Sequence, residues 1–340
     1  MLNARNLTTL AMLSLPLLVV LLGVEWAGDR LLERIAITFF INLILVLGLQ
    51  VFMGNSGILS FAHIGFMGVG AYTSALFSIP VQMKSMALPD LYPLLQGVAL
   101  SPYLAILIGG LVAALLAALV AYPLMRLSDA AAVITSFALL VVLHTIMIHW
   151  SSVTNGPRTL FGIPHATHLY HAAGVAWLSL LLALLYKESR VGLLLRAVRD
   201  DEVAAAGIGA NASLLRWYAF VLSALLAGLA GGLWAHFITS FSPNAFYLKE
   251  TFVILGMLVI GGAATVSGAV FGALAVTLAY EGLRSLENSL NMSQVFSTQV
   301  VGLTEIVLAI AMILTLILRP AGLLGMREIG DWFGVGKRWQ

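Results

Sequence analysis

The chain has 340 residues, 61% of them hydrophobic and 9% charged, with a formal net charge of +2 and no cysteine. A water-soluble domain carries about a quarter charged residues, so this composition excludes an ordinary soluble fold. The lack of cysteine excludes a disulfide framework, a thiolate metal site and a cysteine nucleophile, and no basic run interleaved with aromatics points to nucleic acid.

Stretches free of Asp, Glu, Lys and Arg cover 6–24, 35–83, 91–125, 130–157, 217–248 and 251–280. Each is long enough to cross a bilayer, which takes about 20 apolar residues. Backbone groups cannot stay unpaired in lipid, so the crossings are expected to be helical. Taken in order, the expected spans are 7–24, 35–53, 58–79, 102–125, 130–150, 171–186, 217–237, 250–262, 266–282 and 296–318. The first follows Arg5 and is read as a retained span, because Ala27 and Gly28 make a poor cleavage site. Gly261, Gly262 and Gly268 interrupt the eighth and ninth, which read either as two spans or as two half-helices. The fold class is therefore an all-α polytopic membrane helix bundle of about eight to ten transmembrane helices with glycine-broken segments, one domain over 1–340.

With the N-terminus in the cytoplasm, Arg5, Arg126, Lys187, Arg190, Arg196, Arg199, Arg216, Arg319, Arg327, Lys337 and Arg338 fall inside. Arg30, Arg34, Lys84, Arg158, Lys249 and Arg284 fall outside, so the positive-inside rule places both termini in the cytoplasm. Small-residue stripes at Gly65, Gly68, Ala71 and Ala75, at Ala224, Gly228 and Gly232, and at Ala264, Gly268, Gly272 and Ala275 suit close helix packing and indicate no particular function.

Gly54, Asn55, Ser56 and Gly57 break a long uncharged run. A broken helix at membrane depth needs protein or a water-filled cavity to satisfy its freed backbone groups. Asn55, Ser56, Ser60 and His63 are then the candidate polar lining of a solute pathway with Gly57, and a tight cytoplasmic turn is the alternative. LGLQVFMG at Leu47–Gly54 is echoed by LGMLVIGG at Leu255–Gly262, which adds Gly261 and Gly262 to the pathway candidates. Glu305 in the last span reads as a functional or paired group, or as a neutral acid near the midplane bonded to a neighbouring helix. His144 and His149 share no helical face, and His165, His168 and His171 gather in an outer loop without a carboxylate, so no metal site is expected.

The connection Lys187–Arg216, KESRVGLLLRAVRDDEVAAAGIGANASLLR, is expected to form one short amphipathic helix capped by Asp200 or Asp201 and ended by Gly207 and Gly209. Val203, Ala204, Ala205 and Ile208 form its apolar knob, fit either for a groove on a partner or for the membrane surface. The Glu202, Ala204, Ala205, Gly207 pattern resembles the coupling-helix motif of ABC-importer permeases, and SRVGLLLRAVRDDEVAAAGIGAN resembles the branched-chain amino acid permease family. Further similar segments are GNSGILSFAHIGFMGVGAYTSAL at Gly54–Leu76, TNGPRTLFGIP at Thr154–Pro164, GGLWAHFITSFSPNAF at Gly231–Phe246, VIGGAATVSGAVFGA at Val259–Ala273 and RPAGLLG at Arg319–Gly325. The string at Ser128–Ala132 and the pair Arg158–Thr159 depart from that family's pattern.

The resemblance implies an inner-membrane permease subunit with Arg196, Arg199, Asp200, Asp201, Glu202, Ala204, Ala205 and Gly207 as its ATPase-coupling surface. It implies a second permease subunit, two ATP-binding subunits that hold ATP and Mg, and a periplasmic solute-binding protein. The expected solutes are branched-chain amino acids, with urea, short amides and aromatic acids as alternatives. No phosphate loop of the Gly-x-x-x-x-Gly-Lys-Ser/Thr kind occurs, so no cofactor is expected in this chain and it is read as a transport subunit, not an enzyme. A stand-alone secondary transporter or channel would also use interrupted helices, but it predicts paired charges along a route, and apart from Glu305 the spans hold almost none.

Overall fold

A computed structural model describes residues 4–127, 129–292, 302–319, 321–325 and 328–332. The first part of the expected last span, 296–301, lies outside the described residues, as do Ser128, Arg327, Lys337 and Arg338. Among the described residues sixteen α-helices follow in order: α1 (Ala4–Ala27), α2 (Arg30–Leu49), α3 (His63–Ser78), α4 (Val81–Ala87), α5 (Pro93–Gln96), α6 (Pro102–Leu124), α7 (Asp129–His149), α8 (Ser151–Thr154), α9 (Leu169–Lys187), α10 (Arg190–Asp200), α11 (Glu202–Gly207), α12 (Ala212–Ile238), α13 (Leu248–Gly261), α14 (Val266–Met292), α15 (Leu303–Leu318) and α16 (Ile329–Trp332). Eight helical stretches among the described residues are long and apolar enough to cross a membrane, and α15 is a shorter apolar helix. Large apolar side chains such as Leu115, Leu119, Ile134, Val142 and Ile317 stand exposed, as a lipid-facing surface requires. The chain is a multi-pass, all-α membrane bundle.

Helix α2 is the centre of this bundle. Asp29 caps its start, with Oδ1 accepting from the Leu31 amide at 2.8 Å, and it is buried from Phe39 to Leu49 except at Asn42. An apolar helix without a polar face belongs inside a core. Helices α3, α6 and α12 pack together beside it, and glycine lets their backbones touch. A Cβ on Gly70 would collide with the Gly228 carbonyl, one on Gly231 with the Met67 carbonyl, and one on Gly109 would sit 2.6 Å from the Gly70 carbonyl oxygen. The stripes expected to pack do so: Gly65 lies against Leu143, Gly68 against Met147, and Gly272 against the Met257 carbonyl. Ala275 alone in the third stripe is exposed. On the outside, α1 is tied to α9 by Trp177 Nε1 donating to Ser14 Oγ at 2.9 Å and the Tyr170 hydroxyl donating to Glu25 at 2.7 Å.

Helices α1, α6, α7, α9 and α13 match their expected spans within a turn, α2 and α12 start five residues earlier and α3 five later than expected, and the largest departure is α14. It continues to Met292 where the apolar run suggested an end near 282. Glu281, Arg284 and Glu287 end the apolar run there without ending the helix, because charge limits residence in lipid and leaves helical hydrogen bonding intact. The eighth and ninth spans are separate helices packed side by side.

At the end of the bundle opposite α10 and α11, two loops close on each other. Leu160 and Phe241 form an isolated antiparallel bridge with bonds of 2.8 and 3.0 Å, and Thr167 Oγ1 donates to the Leu233 carbonyl at 2.8 Å. Tyr72, Trp234, Phe241 and Phe246 pack there as tilted and edge-on rings 5.0–6.1 Å apart. Thus the segments 154–164 and 231–246, separately quoted above, make one structural unit.

Candidate translocation breaks and coupling surface

The first break begins inside α2. Beyond Leu49 the helix widens into a π-turn over Gln50–Gly54, and residues 57–62 leave the helix before α3 starts at His63. Single π-turns inside α-helices occur frequently at functional sites. Gly57 sits at φ +73°, and any Cβ there would fall 2.7 Å from Arg199 Cγ, so both conformation and space require glycine.

Gln50, Asn55, Ser56, Ser60 and His63 are all buried, which places them inside the bundle and not in a solvated turn. Some of their polar atoms are satisfied locally. Asn55 Nδ2 donates to the Val51 carbonyl at 2.9 Å, Ser56 Oγ accepts from the Ile58 amide at 3.2 Å, and the His63 ring bonds Ser223 Oγ, which itself donates to the Gly48 carbonyl at 2.6 Å. Both amide atoms of Gln50, Asn55 Oδ1, Ser60 Oγ and His63 Nδ1 have no hydrogen-bond partner among the described residues. Each such group costs about 1–3 kcal/mol when buried, so their concentration at one helix break marks a place built for something other than stability.

The second break joins α13 to α14. Gly261 ends α13, Gly262 turns at φ +117°, and a Cβ on Gly261 would collide with the Gly268 carbonyl. The two breaks meet: a Cβ on Gly54 would collide with the Ala263 carbonyl. The C-terminal segment then completes this junction. Leu323 and Leu324 amides donate to the carbonyls of Ile260 and Gly261 at 2.9 and 3.3 Å, satisfying the end of α13. The Glu328 carboxylate accepts from the amides of Val266 at 2.9 Å and Ser267 at 3.0 Å, at the positive end of the α14 dipole, and pairs closely with Lys187. Lys187 Nζ also donates to the Ala264 carbonyl at 3.3 Å.

Burial pushes the Glu328 carboxyl up, but Lys187 and the Ser267 hydroxyl and amide outweigh it and hold the group below the usual carboxylate range. Its stabilisation is therefore complete above the ordinary value of 4.5 and disappears as pH falls through the folded value. Glu328→Ala leaves Lys187 buried without its carboxylate and is expected to cost about 3–5 kcal/mol at pH 7. Thermal midpoints in detergent check this, and the gap between wild type and variant should shrink at acid pH below 4.5.

Where a single amphipathic helix was expected, two stand. Ser189 Oγ accepts from the Gly192 amide at 3.1 Å and caps α10, and Asp201 Oδ1 accepts from the amides of Val203 and Ala204 at 2.9 Å each and caps α11. Asp201 leaves helical geometry at φ −155°, ψ 106° because two acids at the negative end of the α10 dipole oppose its continuation while the carboxylate satisfies the next helix. Asp200 does not cap; it pairs with Arg199 at 3.1 Å. Helix α11 ends at Gly207, followed by Gly209 at φ +84°. Val203 and Ile208 project into solvent at 83% and 72% exposure, Ala204 and Gly207 are exposed beside them, and Ala205 turns inward, so the knob is smaller than the sequence pattern suggested.

This surface is wired inward by arginine. Arg199 Nη1 donates to the Gly54 carbonyl at 2.9 Å, Arg196 Nη2 to the Lys187 carbonyl at 2.8 Å, and buried Arg216 to Glu202 at 2.7 Å. The candidate coupling residues and the first break, expected as separate features, thus adjoin.

Glu305 lies in the first turn of α15 and pairs with Lys249 of α13 at 2.6 Å, so its paired reading holds. The loop histidines pack ring to ring, His165 to His168 at 5.2 Å and His168 to His171 at 5.7 Å. Among the described residues no group of three or more His, Cys, Asp or Glu is placed to hold a metal. His144 stacks on Tyr247 at 4.1 Å. Sequence reasoning missed Gln50, Ser223, Arg216 and Glu328 as members of the junction, and missed His236, which bonds Ser78 Oγ at 2.9 Å between α12 and α3. Gln50 and His236 carried a signal as polar residues in apolar runs; Glu328 carried none.

A family described as the permease component of branched-chain amino acid transport systems matches residues 31–316. The chain belongs to that family. It is also 26% identical to the high-affinity branched-chain amino acid transport system permease protein LivM of Salmonella typhimurium strain LT2, over 91% of this chain and 74% of the relative. The LivM protein of Escherichia coli K12 is likewise 26% identical, over 86% of this chain and 69% of that one. No solved structure gives a significant match. The permease is thus a transport subunit and not an enzyme, and the family match contains both breaks and α10–α11.

Proposed function

We propose that this permease carries branched-chain amino acids or similarly small solutes into the cell by alternating access, with two ATP-binding subunits docked on α10–α11 supplying the work. In this reading ATP and Mg are held by those subunits, a second permease subunit completes the pathway, and a periplasmic binding protein delivers solute. In this reading both termini and the α10–α11 end face the cytoplasm, which the excess of basic residues there supports. The solute meets Gln50, Asn55, Ser60 and His63, whose unpartnered polar atoms suit a zwitterion.

The observation that carries the proposal is the bond from Arg199 in α10 to the Gly54 carbonyl in the first break. A displacement of α10–α11 by a docked ATPase acts directly on that carbonyl, and through Gly54 on Ala263 of the second break. Arg199→Ala removes a charge-assisted bond of about 1.5–3 kcal/mol and is expected to lower solute uptake roughly tenfold to hundredfold. ATPase subunits should still copurify and hydrolyse ATP. Unchanged uptake per ATP hydrolysed in proteoliposomes would remove the support for this linkage.

A further inference from the structure

Both breaks lead into the N-terminus of a helix, and the two ends are met differently. At the second break the amides of Val266 and Ser267 donate to Glu328, a carboxylate of the chain's own. At the first, α3 begins at His63, its opening bond runs from the Phe66 amide to the Ala62 carbonyl at 3.2 Å, and no side chain caps it. Residues 62–66 are all buried. The amides ahead of Phe66 have no acceptor within the helix, and a buried helix end in that state needs one from elsewhere. This end also lies well inside the bundle. Through Ser223 the His63 ring is tied to the Gly48 carbonyl, which stands about 9 Å along α2 from Gly54. Ser136 Oγ of α7 accepts from the Phe61 amide at 3.2 Å, just before the helix starts.

The side chains at this end sort into a donor and several acceptors. Ser60, 1% exposed, has a hydroxyl without a hydrogen-bond partner among the described residues. Ser223 spends its proton on the Gly48 carbonyl and so accepts from His63 Nε2, which leaves Nδ1 of an uncharged His63 ring as an unpartnered acceptor. Asn55 Oδ1 and Gln50 Oε1 are unpartnered acceptors on the α2 side of the break, at the negative end of that helix. We propose that the N-terminus of α3, with the Ser60 hydroxyl, is the subsite for the carboxylate of the transported solute, which takes the part that Glu328 plays at α14. Resting on the solute pathway proposed above, this narrows the solutes to those bearing a carboxylate and sets aside neutral urea and short amides. The dipole of α3 and its open amides supply the attraction. An amino acid so placed turns its ammonium toward His63 Nδ1, Asn55 and Gln50. A carboxylate of the chain's own would seal the end for good, whereas a transported one fills it and leaves.

Hydrogen–deuterium exchange reads these amides directly. The complete transporter, purified without its binding protein, would be incubated with L-leucine, with L-leucinamide, which lacks the carboxylate, and with urea, and the peptide covering 57–66 followed. Leucine should slow exchange there roughly tenfold, and leucinamide and urea should leave it unchanged. Ser60→Ala should raise the half-saturating leucine concentration roughly tenfold, the loss of one hydrogen bond to a charged group. Ser60→Asp sets a carboxylate of the chain's own at this end, and should slow exchange without solute and make it indifferent to leucine. Equal protection by leucinamide and leucine, or a leucine effect undiminished in S60A, would overturn the carboxylate subsite and leave the solute pathway standing. Protection by urea without leucine, or no leucine effect on this peptide in the wild type, would overturn the two together.

Discussion

Glu202→Arg is expected to abolish copurification of the ATP-binding subunits and with it solute uptake, while membrane insertion and helical content stay unchanged. Glu202 receives the Arg216 guanidinium at 2.7 Å, and Arg216 is buried at the start of α12. The variant removes the partner of a buried cation and sets a second cation beside it. Glu202 itself is half exposed, which discounts the loss to about 1–3 kcal/mol. That is small for the whole bundle and large for α11, a helix from Glu202 to Gly207 held by its cap, Ala205 and this pair. Freed from Arg216, α11 no longer presents Val203 and Ile208 in fixed positions. Deletion of 200–207 should give the same result. Normal copurification of the ATPases with either variant would refute the assignment of α10–α11 as their docking surface.

Gly231→Leu is expected to prevent assembly of the central helices altogether. The new Cβ collides with the Met67 carbonyl and lies 3.0 Å from the Ala71 nitrogen. Both are backbone atoms, so no rotamer change relieves the clash, and α3 must separate from α12 along their contact. Overpacking typically costs about 1–3 kcal/mol, and a backbone-to-backbone obstruction at the centre belongs at or above the top of that range. Gly174→Leu in α9 is the control, because nothing lies within 4 Å of a Cβ there. Size-exclusion profiles and thermal midpoints in detergent separate the two: G231L should yield aggregate or no folded protein, and G174L should behave as wild type.

The helical bundle was legible because lipid imposes a simple rule, and uncharged runs broken by charge reveal where the chain crosses. The same rule misled at α14, where Arg284 and Glu287 mark the limit of apolar surface and the helix runs on. Glu305 was expected further along its helix for a related reason. Its apolar run begins near 296, but α15 begins at Leu303, which places the carboxylate in the first turn. Both breaks could be read from Gly54–Gly57 and Gly261–Gly262, since few residues tolerate φ of +73° or +117°. Their meeting could not, because Gly54 and Ala263 are far apart in the chain. Asp201 shows the limit of local reasoning: Asp200 or Asp201 is expected to cap a helix, and Asp201 does, but only the structure reveals that it ends one helix as it starts the next.

The Glu328 contact also bears on the order of biosynthesis. Residues leave the ribosome from the N-terminus, and domains generally fold as they emerge. Lys187 and the start of α14 are made well before the carboxylate that neutralises the one and caps the other. Until Glu328 arrives, Lys187 and the Val266 and Ser267 amides must be met by water or by other proteins. The junction beneath α10–α11 therefore closes only on a chain translated through this residue, and its closure is a late event of synthesis.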